Sequence, residues 1–99
     1  PPELLTDALT AARSIHDERN RANALRALAD KLSEILPEAL AAARSIQDER
    51  NRADALTALV DKLPEILPEA LAVARSIQDD KNRADALTAL VDKLPEILP

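Results

Sequence analysis

The feature that most constrains this chain is that it repeats itself. The string ALAAARSIQDERNRADALTALVDKL begins at Ala39 and returns from Ala70 as ALAVARSIQDDKNRADALTALVDKL; a more divergent form, ALTAARSIHDERNRANALRALADKL, begins at Ala8. Arg13, Arg44 and Arg75 are equivalent, as are Ile15, Ile46 and Ile77, so the period is 31 residues. A unit of this size cannot bury an apolar face alone, so neighbouring copies are expected to stack. The copies run 1–31, 32–62 and 63–93 in a single repeat domain spanning 1–99, and 94–99 opens a fourth copy that is cut short.

Composition selects the secondary structure. The apolar 46% consists only of Ala, Leu, Ile and Val, with no aromatic residue, Met, Cys or Gly. Without Gly the usual left-handed helix caps and phosphate-cradling loops are missing. Without Cys there are no disulfides or thiolate metal sites. Ala, Leu, Glu, Asp and Arg in these proportions build helix. The net charge of −5 is spread over 31% charged residues of both signs. That reads as a solvated helical surface with no basic stripe for a nucleic-acid partner. No apolar run approaches the roughly 20 residues that span a bilayer, and no leader is visible, so no membrane association and a cytoplasmic location are expected. The first residue is Pro1 and not Met, as expected of a trimmed chain, a proteolytic fragment or an excised segment.

Each copy contains two helical stretches. In the second, helix A is predicted from about Glu34 to Ile46, with Ile35, Leu36, Ala39, Leu40, Ala42, Ala43 and Ile46 on one stripe. Ser33 is the expected N-cap. Pro37 and Pro68 lie one turn further in, where a proline bends the start of the helix or delays it; Thr6 holds that place in the first copy. Helix B is predicted from about Glu49 to Lys62, capped by Asp48, with Ala53, Leu56, Leu59, Val60 and Leu63 on its inner side. Asp54, Thr57, Asp61 and Arg50 line another side. The links, two or three residues around Gln47 and as few at Leu63-Pro64, make each copy an αα-hairpin. The expected fold is all-α: a right-handed α-α solenoid of three 31-residue helix–turn–helix repeats.

This unit resembles the α-solenoid superfamily of tetratricopeptide-like and HEAT-like arrays. Tetratricopeptide aromatics are lacking, and Gln47 stands where HEAT-like turns have Gly. The ALAAARSIQDERNRADALTAL pattern is more similar to Ala/Leu-rich repeats of large bacterial multidomain proteins. That resemblance implies a scaffold or partner-sensing role and carries over no site residues. Copies 2 and 3 differ only at Ser33/Pro64, Ala42/Val73, Glu49/Asp80 and Arg50/Lys81. Such drift is expected of recent duplication in a natural gene; a consensus-type design is the alternative.

Little in the copies suggests chemistry. His16 is the only histidine, and Gln47 and Gln78 replace it elsewhere, so it reads as a polar turn residue. Asp54, Asp61, Asp85 and Asp92 read as a solvated face, the alternative being an acidic ridge that meets a basic partner. Arg21, Arg52 and Arg83 fall in the apolar sector at the start of helix B. Their stems are expected to pack while the guanidinium reaches the last carbonyls of helix A or a nearby Asp. The alternative is an arginine ladder that recognises carboxylates or phosphates. No catalytic, cofactor or metal site is read, and the chain is not expected to be an enzyme. The expected function is a non-catalytic scaffold presenting a surface to a protein or peptide partner. The alternative is a structural module whose apolar end, at Val91, Leu94 and a truncated helix A over Glu96–Leu98, stacks head-to-tail into a homo-oligomer.

Overall fold

The computed structural model of the protein describes the backbone of residues 2–97 and the side chains of 3–94. Among the described residues the chain forms six α-helices and no strand: α1 Pro2–Arg13, α2 Glu18–Ala29, α3 Leu36–Arg44, α4 Glu49–Leu59, α5 Leu67–Ser76 and α6 Asp80–Ile97. Two short 3-10 turns, Ser33–Ile35 and Pro64–Ile66, precede α3 and α5.

The starts of the B helices follow from one local device. Asp17, Asp48 and Asp79 each sit just before the helix, and each carboxylate accepts the amide N–H three residues on, at 2.8 Å. This satisfies one of the four amides that a helix start leaves unpaired.

The A helices start differently from expectation. Ser33 does not cap; it is the first residue of a 3-10 turn, and no side chain caps that turn or α3. The reason is Pro37, which has no N–H to donate to the carbonyl of residue 33. The Leu36 N–H takes that carbonyl instead, closing a tighter turn, and the Leu67 N–H does the same to Pro64 ahead of Pro68. Thr6 carries an N–H, and α1 runs unbroken from Pro2.

Helix ends are also earlier than expected. α3 stops at Arg44 and α4 at Leu59, where the Lys62 and Leu63 amides both return to the Leu59 carbonyl at 3.1 and 2.8 Å. The A-to-B links are therefore Ser14–Asp17, Ser45–Asp48 and Ile77–Asp79, three or four residues each. In the third copy the B helix does not stop: α6 runs on through Leu94 to Ile97, and Leu98 lies outside the described residues.

The chain forms two compact units, Pro1–Ile46 and Gln47–Pro99. In the first, α2 packs against α1 and, more extensively, against α3 and its 3-10 turn. Ala12, Ala22, Leu25, Ala29, Ile35, Ala39 and Ala43 are buried there. In the second, α4, α5 and α6 all pack on one another, the α4–α5 contact being the most extensive. Leu56, Leu59, Val60, Ile66, Ala70 and Leu90 are buried in it. Small alanines bring the helix backbones close, and branched side chains fill the space between them.

Candidate functional site

The recurring arginines occupy the junction between consecutive helices. Arg21 is half-buried, and its Nη1 donates to the Ile15 carbonyl at 2.7 Å and to that of His16 at 3.3 Å. Arg83 does the same to Ile77 at 2.9 Å and Gln78 at 3.3 Å, while its Nη2 meets Asp80 Oδ1 at 2.6 Å. Arg52 Nη1 donates to the Gln47 carbonyl at 3.3 Å. These carbonyls belong to the turn beyond the A helix, where backbone acceptors lack intrahelical partners. A guanidinium with several fixed donors can satisfy two at once.

A serine in each copy closes the same helix end from the other side. The hydroxyls of Ser14, Ser45 and Ser76 donate to the carbonyls of Ala11, Ala42 and Val73 at 2.6 to 2.7 Å. The signal for this role in the sequence is the recurrence of serine at the same place in all three copies.

Asp54, Asp61, Asp85 and Asp92 are all exposed. Asp61 accepts from Lys93 Nζ at 2.7 Å, and Asp85 from Lys81 Nζ at 3.2 Å. Thr57 was expected on the same exposed side and is instead buried. α4 receives both α5 and α6, so a stripe that looks free on an isolated helix is partly covered. Among the described residues no three acidic or histidine side chains come together in a way that could hold a metal ion. His16 is exposed in its turn.

An ion pair not foreseen from the sequence ties α1 to α3. Arg13 Nε and Nη2 donate to Glu38 Oε2 and Oε1 at 2.6 and 2.7 Å, a bidentate pair. The hydrogen bond holds the Glu38 carboxyl below its ordinary range and raises Arg13 further. Both side chains are largely solvated, so the pair orients more than it stabilises.

The remaining feature is an apolar groove of about 100 Å³ on the second unit, lined by Leu67 and Leu71 of α5 and Leu87, Leu90, Val91 and Leu94 of α6. Val91 stands out from it, 59% exposed, and in the first unit Leu4 of α1 is 64% exposed. Among the described residues no helix is long and apolar enough to cross a membrane.

Compared with protein-family models, curated proteins and solved structures, the chain gives no match.

Proposed function

We propose that the chain is a non-catalytic repeat scaffold whose three copies stack as a right-handed α-α solenoid and present a repeated surface to a protein partner. The observation that carries the reading is what the recurring polar groups do. Arg21, Arg83, Ser14, Ser45 and Ser76 are engaged with backbone carbonyls, and Asp17, Asp48 and Asp79 with helix amides. Exposed carboxylates recur at the repeat period in copies 2 and 3, Asp54 on α4 and Asp85 on α6, the latter also meeting Lys81 at 3.2 Å. A basic helical segment is the partner such a face suits.

The test is calorimetric titration with a synthetic Lys/Arg-rich helical peptide. Binding that weakens with salt and falls severalfold in the Asp54→Asn/Asp85→Asn double variant is expected. No binding, or unchanged affinity in that variant, would remove the acidic face from the proposal. Residual dipolar couplings address the stacking. A constant right-handed step between α1, α3 and α5 is expected, and unequal steps would refute the solenoid.

A further inference from the structure

We propose that this 99-residue chain associates head-to-tail, the α1 face of one copy seating on the α6 face of the next. The surfaces involved are two halves of a contact that the chain already makes internally. In the first unit α3 and its 3-10 turn cover α2; in the second α5 and its turn cover α4. Each is the most extensive helix contact of its unit. Repeat-equivalent residues report what happens where the contact is missing. On the covering side, Ile35 and Ile66 are 6% and 5% exposed, whereas their equivalent Leu4 is 64% exposed; Ala39 and Ala70 are buried, and Ala8 is not. On the covered side, Ala29 and Val60 are 2% and 0% exposed, whereas Val91 is 59% exposed; Ala53 and Thr57 are buried, and Ala84 and Thr88 are exposed. Residues 84, 88 and 91 fall on one stripe of α6 beside the leucine-lined groove.

The charges complement in the same register. Arg13, at the end of one A helix, pairs with Glu38 in the first turn of the next. The arginine position at the far end is Arg75, and the carboxylate position in α1 is Asp7; both are exposed. Likewise Lys93 pairs with Asp61 of the preceding copy, leaving Asp92 and Lys31 as the exposed outer halves. None of these four side chains carries an ion pair among the described residues. A second copy docked as α5 docks on α4 would join Arg75 to Asp7 and Asp92 to Lys31 while covering Val91 with Leu4. Because the contact joins two different faces, one of each is left over at the ends of every open assembly. The peptide-binding test uses Asp54 and Asp85, which take no part here, so the two proposals fail separately.

Sedimentation equilibrium over a concentration series decides it. The wild type is expected to rise from 10.7 kDa toward multiples of that mass. Leu4→Glu and Val91→Lys each spoil one face and should each stay monomeric, with unchanged helicity because both side chains are exposed. Ala8→Glu and Thr88→Lys are the replacements if either loses helicity. Mixing the two blocked variants should yield a species of twice the single-chain mass and stop there, since each supplies the face the other lacks. Asp92→Lys alone should weaken association severalfold, and adding Lys31→Glu should restore it. A wild type that is monomeric throughout, a mixture that does not dimerise, or a Leu4→Glu variant that still associates would overturn the proposal. So would a double charge variant no better than the single one.

Discussion

The Nε of Arg26 is buried without a hydrogen-bond partner, at the position where copies 2 and 3 have Thr57 and Thr88. A buried donor without an acceptor costs about 1–3 kcal/mol, so Arg26→Met, which retains a long stem, is expected to raise stability by about 1 kcal/mol. Urea denaturation measures this, and a loss would mean the guanidinium contributes through its other nitrogens. The opposite outcome is expected at Arg21. Removing its hydrogen bonds to Ile15 and His16 strands two carbonyls at a helix end. Arg21→Ala should therefore lower stability by about 1–2 kcal/mol, with Arg21→Lys intermediate because lysine lacks the planar fork. Glu38 behaves as a depressed carboxyl. Its pairing with Arg13 contributes above the ordinary glutamate value of 4.5 and is lost as pH falls through the lower folded-state value. In Arg13→Ala the Glu38 titration followed by NMR should move back up toward that ordinary value. An unmoved titration would mean the two side chains do not meet in solution.

At the scale of the element, the sharpest contrast lies between α1 and its two equivalents. Pro37→Thr copies the residue that the first copy carries as Thr6 and restores an N–H at that position. The 3-10 turn Ser33–Ile35 and α3 should then fuse into one helix, visible as helical chemical shifts and slowed amide exchange from residue 33 onward. Persistence of the break would show that Leu32 and the packing on α2, not the missing amide, set the start. Helix type and most apolar positions were legible because they depend on residues within a turn of each other. Asp48 caps Asn51 three residues away, and Ala39, Ala43 and Ile46 line one side by spacing alone. Helix ends were less legible. Leu63-Pro64 reverses the chain, yet Leu94-Pro95, the same dipeptide, continues as helix in α6. The dipeptide alone therefore does not reverse the chain; after α4 the reversal goes with the burial of Ile66 and Ala70, which no dipeptide encodes.

Across the whole molecule, identical side chains stand in unlike surroundings. Val60 is buried at the end of α4, while Val91, its equivalent in α6, is exposed. Val60→Ala should cost about 1–3 kcal/mol, the transfer term for two methyl groups plus the cavity left behind, and Val91→Ala close to nothing in the monomer. Equal costs by denaturant unfolding would show that the two sites are alike in solution. The pairs Arg13–Glu38 and Lys93–Asp61 belong to the same scale, since each joins residues of successive copies. The sequence by itself determined the 31-residue period, the helical content, the aspartate caps and the apolar stripes, because these rest on local spacing and on which residues carry an N–H. The uncovered apolar end at Val91 also followed from where the copies stop. Only the tertiary structure decided that Thr57 is covered and Thr88 is not, or that Leu4 stands in solvent. Equivalent residues share every intrinsic preference, so a difference between them can come only from the helix lying alongside.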